Sequence, residues 1–198
     1  MNRLIVLLWC VLFQQSVIAA ESVPEELIRN ASDQVLSRIQ SNPGLYQQDP
    51  AKLYALVDEV VVPHFDFATM TDLALGRYKS KISAEQRRLI THEFRILLVR
   101  TYAKALLEYN NQKIIYLPTE GSLAGGDVTV RTEIEQAGGF PIPLNYSLKQ
   151  SQQGWKVYDI SVDDISLVTN YRSSFSREIR KNGVDSLIKT LRERNQDL

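Results

Sequence analysis

Apolar residues along the first part of the chain recur with the period of a helix. From Pro24 to Gln40, Ile28, Ala31, Val35 and Ile39 fall on one face, and Ser41-Asn42-Pro43-Gly44 supplies a turn. Asp49-Pro50 then pairs a capping residue with proline at the first helical position, and Leu53, Leu56, Val57, Val60 and Val61 form the next stripe up to Pro63. A third, short helix is predicted from Phe65 to Leu75, with Gly76 where a left-handed terminal residue is wanted. Ser83-Ala84-Glu85-Gln86 has capping-box spacing and opens the longest periodic stretch, predicting a helix from Ala84 to about Tyr109. Its inward face carries Ile90, Phe94, Leu97, Leu98, Tyr102, Ala105, Leu106 and Tyr109, while Arg88, Arg95 and Lys104 turn outward.

After Lys113 the period drops to two. Strands are predicted over Ile114 to Leu117, Asp127 to Gln136, Pro141 to Gln150 and Trp155 to Val162, joined by hairpin-length links, so the sheet is antiparallel. Val128, Val130 and Ile134 share one face of the second strand; Ile142, Leu144, Tyr146 and Leu148 share one face of the third. Helix returns after Asp164 with Val168, Tyr171, Phe175 and Ile179 aligned, breaks at Asn182-Gly183, and resumes with Val184, Leu187, Ile188 and Leu191. Helices, then strands, then helices give an α+β domain: a curved antiparallel sheet of about four strands against helices, residues 21–82 being mainly helical and 83–198 holding the long helix, sheet and closing helices.

The first twenty residues depart from this pattern and read as a secretory signal. Arg3 is the positive end, Leu4 to Phe13 the apolar run, and Val17-Ile18-Ala19-Ala20 the cleavage site, which starts the mature chain near Ala20 or Glu21. Trp9 occupies the position where a lipoprotein signal needs a small residue before Cys10. Cleavage removes the one cysteine, so the mature domain has no disulfide, thiol nucleophile or cysteine metal ligand. With 23 basic and 23 acidic residues in the full sequence, no overall field draws a nucleic acid. The short signal fits bacterial export to the periplasm.

No reactive centre emerges. His92-Glu93 lacks the second histidine of a zinc helix because Ile96 stands at that position, and His64-Phe65-Asp66 falls at a helix junction suited to capping. There is no nucleophile elbow, phosphate loop or dinucleotide fingerprint. Asp58-Glu59 reads as solvated, and Asp163-Asp164, at a strand-to-helix transition, as a cap. Basic residues gather at Arg77, Lys79, Lys81, Arg87 and Arg88 around Tyr78. What remains is a surplus of apolar positions between a long helix and a curved sheet, which suits either plain core or a ligand cavity.

Four stretches bear on that choice. They are Val62-Pro63-His64-Phe65-Asp66-Phe67 with Leu73-Ala74-Leu75-Gly76-Arg77-Tyr78; Ser83 to Arg87 running into Phe94, Leu97 to Ala103 and Ala105-Leu106; Trp155 to Ile160 continuing to Ile165-Ser166-Leu167-Val168, Asn170-Tyr171-Arg172 and Phe175; and Gly183 to Leu187. In order and spacing the chain resembles the MlaC, or toluene-tolerance, family of periplasmic phospholipid-binding proteins. It departs at Lys79-Ser80, where the family often has an aromatic, and at Asp164, where it often has glycine.

The resemblance implies a fold like nuclear transport factor two with an added helical subdomain. It also implies a monomeric shuttle carrying phospholipid between an outer-membrane lipoprotein and porin complex and an inner-membrane ABC transporter, maintaining outer-membrane lipid asymmetry. On that reading there is no catalytic residue, metal or cofactor, and phospholipid is the cargo. Acyl chains are expected against Phe94, Leu98, Tyr102, Leu106, Val128, Val130, Leu144, Tyr146, Leu148, Val157, Val168, Tyr171 and Phe175, with Arg77, Lys79, Lys81 and Arg88 as a partner contact. The competing readings are an enzyme in the same cone-shaped fold, which needs a base inside the cone, and a lipid-free adaptor with a closed core.

Overall fold

The computed structural model describes residues 23–198, so the expected signal segment lies outside the described residues. Helix α1 (Pro24–Ser41) has proline in its first turn and buries Ile28, Val35, Leu36 and Ile39. A short α2 (Pro43–Gln48) leads to α3 (Pro50–Val60), whose first turn is capped by Asp49 accepting from the Ala51 amide at 3.1 Å. Pro63 sits within a single 3₁₀ turn, Val62–His64, and Asp66 caps α4 (Phe67–Leu75) by accepting from the Thr69 amide at 2.9 Å. Gly76 ends α4 with φ 53°, and a second 3₁₀ stretch, Gly76–Lys81, leads into the next helix.

Helix α5 (Ala84–Ala103) opens on the complete capping box, with Ser83 Oγ and the Gln86 side chain each accepting the other's backbone N–H at 3.1 Å. The predicted helix to Tyr109 tightens to 3₁₀ over Lys104–Glu108, the usual way a long helix satisfies its last carbonyls.

Strands β1 (Ile114–Ser122), β2 (Asp127–Ile134), β3 (Ile142–Ser151), β4 (Gly154–Val162) and β5 (Ile165–Ser166) form one antiparallel sheet in sequence order. The two-residue β5 adds to the four strands expected. It exists because Asp163 and Asp164 take positive φ values of 50° and 61° and reverse the chain within two residues. They are therefore turn residues. The cap of α6 (Leu167–Asn182) falls instead to Ser166, whose hydroxyl accepts from the Thr169 amide, and to Asp159, which accepts from the Val168 amide. Gly183 then separates α6 from α7 (Val184–Asp197).

Three apolar clusters organise these elements. One joins α4, α5, α6 and α7 around Phe94, whose ring meets Tyr171 and Phe175 edge-on at 4.9 and 5.1 Å between centroids. A second joins α1, α3 and the end of α5; a third packs Val128, Val130, Leu148, Trp155 and Val157 of the sheet with Ile28 of α1. Between the three the packing is incomplete.

Candidate functional site

An apolar cavity of about 370 Å³ lies where the clusters fail to meet. One wall is α1, through Leu27, Ile28, Ala31, Ser32, Val35 and Leu36. The floor comes from Val57, Val61, Val62, His64, Phe65, Phe67 and Met70, around the 3₁₀ turn that Pro63 imposes between α3 and α4. Opposite stand Leu98, Val99, Tyr102 and Ala103 of α5, then Ala105, Leu106 and Tyr109. The sheet contributes Ile114, Ile134, Leu144, Tyr146, Ile160 and Val162, and α6 contributes Leu167 at its start.

Few polar groups reach this space. Burial pushes the Tyr146 phenol far above its ordinary range, and Ser32 lies within hydrogen-bonding reach of it. Burial, with a smaller push from the Lys156 ammonium, lowers the His64 imidazole below its ordinary value, so the one histidine on the wall favours its neutral form. Near the opposite rim, burial and then Tyr102 push the Tyr171 phenol up to about 12. A wall that keeps its titratable groups uncharged solvates hydrocarbon. Among the described residues no cluster of three or more His, Cys, Asp or Glu could hold a metal, and no helix is long and apolar enough to cross a membrane.

Of the residues expected to touch acyl chains, Leu98, Tyr102, Leu106, Leu144 and Tyr146 line the cavity. Phe94, Val168, Tyr171 and Phe175 belong to the cluster joining α5 to α6 and α7, filled by interlocking rings. Val128, Val130, Leu148 and Val157 lie under α1 at the closed half of the sheet. The α1 wall and the floor were absent from the expectation. Their signal was present in the stripe Ile28, Ala31, Val35, but a stripe reports only that a face is covered. In the basic group, Arg88 pairs with Glu85 at 2.7 Å and Arg77 lies over the Tyr78 ring, while Lys79 and Lys81 are exposed on the 3₁₀ turn. All four sit at the far end of α5 from the cavity.

Comparison with known proteins adds an independent line. The model of the MlaC protein family matches residues 29–193. The intermembrane phospholipid transport system binding protein MlaC of Haemophilus influenzae is 32% identical over 178 residues, covering 88% of this chain and 83% of that protein. Toluene tolerance protein ttg2D of Pseudomonas putida is 27% identical over 167 residues, covering 84% and 77%. A phospholipid-binding protein from Ralstonia solanacearum, solved in complex with a phospholipid, superimposes with a TM-score of 0.80 at 36% identity, covering 87% of this chain and 97% of that one.

Proposed function

Because the chain belongs to the MlaC family, we propose that it is a phospholipid-binding shuttle whose acyl-chain site is the cavity walled by α1, the end of α5 and the sheet. The observation that carries this reading is the cavity itself: an almost wholly apolar space where the three apolar clusters fail to meet. Two acyl chains hold about 30 methylenes, whose exposure to water costs on the order of 20 kcal/mol, so an aqueous carrier has to enclose them. Neutral Tyr146 and His64 suit that lining, and nothing covalent is required of them. The polar headgroup stays at the mouth, where water solvates it.

The signal-like leader supports a periplasmic location, and the family resemblance supports two ends for the route: an outer-membrane lipoprotein and porin complex and an inner-membrane ABC transporter. The exposed Arg77, Lys79 and Lys81, remote from the mouth, are the proposed partner contact, since a surface there leaves the lipid path free.

Denaturing extraction followed by lipid mass spectrometry, with native mass measured in parallel, tests the reading. About one diacyl phospholipid per chain is expected, given a cavity of this class. A protein that emerges empty and takes no lipid from vesicles removes the shuttle and leaves the adaptor.

A further inference from the structure

The mouth of the cavity is edged by side chains that the fold leaves outside. Among the lining residues, Tyr102 and Val162 are 39% and 37% exposed, which puts the opening between the end of α5 and the end of β4. Next to it, Ile165 is 63% exposed and Phe140 93%. The sheet brings these together. Leu144 pairs with Val162 and Val162 with Ile165, while the Asp163 amide donates to the Pro143 carbonyl at 2.9 Å. The β4–β5 turn therefore lies beside the start of β3, two residues after Phe140.

Directly paired residues of neighbouring strands share a face. Leu144, inside the cavity, Val162, on its edge, and Ile165, in solvent, thus form one unbroken apolar row leading out of the cavity. Single exposed apolar side chains are ordinary, but a row continuous with a cavity, with Phe140 exposed two residues before the strand that carries Leu144, is not. Gly138-Gly139 before Phe140 and Pro141 after it give that ring a short loop of its own.

Charge narrows the occupant. Asp163 and Asp164 immediately precede Ile165 and have no ion pair or side-chain hydrogen bond among the described residues, and Glu135, beside the loop, is met by Lys113 at 3.9 Å. The sheet side of the rim is apolar and acidic, with Lys104 the exposed cation on the α5 side; an anionic surface is repelled by the sheet side and a zwitterionic one is not.

Resting on the lipid-binding reading of the cavity, we propose that this rim is where the protein meets a zwitterionic phospholipid bilayer. Phe140 and Ile165 enter the interfacial layer and align the apolar row with the acyl chains, while Asp163 and Asp164 disfavour anionic surfaces. Two side chains give weak, reversible attachment, as a carrier needs.

The test measures transfer of a fluorescent phosphatidylcholine between phosphatidylcholine vesicles by the mature protein, together with lipid per chain after long incubation. Phe140→Ser with Ile165→Ser is expected to slow transfer about tenfold, in keeping with the lost apolar burial, and to leave final occupancy and the delipidated melting midpoint unchanged. Replacing part of the phosphatidylcholine with phosphatidylglycerol should slow the wild type, and Asp163→Asn with Asp164→Asn should remove that slowing. A double serine variant that transfers as fast as wild type overturns the proposal and leaves the rim to a protein partner. So does a wild type that binds lipid yet moves none between vesicles, and a serine variant that loses lipid at equilibrium assigns these residues to the lipid site instead. A wild type that takes up no lipid at all sinks the cavity reading, and the rim with it.

Discussion

Leu144 and Val130 show what alternation along a strand conveys and what it omits. Both occupy the apolar face, on neighbouring strands, and the sequence pattern treats them alike. In the fold Val130 is fully buried in the cluster the sheet shares with α1, while Leu144 stands two rungs along the ladder, on the cavity wall across from α1. Periodicity assigns a face; what lies over it depends on where another element ends. The two sites should therefore respond oppositely to the same added volume. Val130→Trp overpacks a filled cluster and is expected to cost about 1–3 kcal/mol. Leu144→Trp occupies space the lipid uses, so lipid content per chain should fall while the melting midpoint of the delipidated protein stays at the wild-type value. A Leu144→Trp protein that keeps its lipid but melts low without it would place Leu144 in solid core.

At the scale of elements, helix starts were legible because they depend on a few adjacent residues. Asp49-Pro50 and Ser83 with Gln86 act as the sequence predicts. Long-range polar pairing was not legible, because nothing near Glu93 in the sequence marks its partner. His92-Glu93 drew notice only as a failed zinc motif, yet Glu93 faces inward and is buried. Its carboxylate accepts from Arg192 Nε at 3.0 Å and from Asn195 Nδ2 at 2.9 Å, while Arg100 donates to the Asn195 carbonyl. This network fastens α7 across α5 through residues about a hundred positions apart. Glu93→Ala leaves the buried Asn195 amide without its side-chain acceptor and should cost about 1–3 kcal/mol, with Glu93→Gln costing less. Urea unfolding of the delipidated proteins measures both. Lipid content should not change, since Glu93 touches no cavity wall; His92→Ala, on the exposed side of the same helix, should stay within about 0.5 kcal/mol of wild type.

For the molecule as a whole, the central quantity is a mismatch. The cavity holds about 370 Å³, whereas two acyl chains call for space on the order of 1,000 Å³. Loading is therefore expected to move a wall, and the walls are not equally free to move. Backbone ladders tie the strands together, and interlocked rings with the Glu93 network tie α4 through α7. Helix α1 is held by packing and side chains alone: Ser32 beside the Tyr116 and Tyr146 phenols, Arg29 over the Tyr116 ring at 3.7 Å, Arg38 to Glu59 at 2.8 Å, and Gln40 to Asn111 at 2.8 Å. Exposed contacts of this kind contribute little each, and α1 loses no backbone hydrogen bond by tilting outward. Because Cys10, among the first twenty residues, is the one cysteine of the sequence, paired spin labels can be placed freely in the described domain. Asp33→Cys on α1 with Lys149→Cys on β3 should report a longer distance in the lipid-loaded protein than in the empty one. His92→Cys on α5 with Arg180→Cys on α6 should report the same distance in both. Movement confined to the second pair would mean that the lipid enters between the aromatic layer and the sheet, and that Phe94, Tyr171 and Phe175 part to receive it.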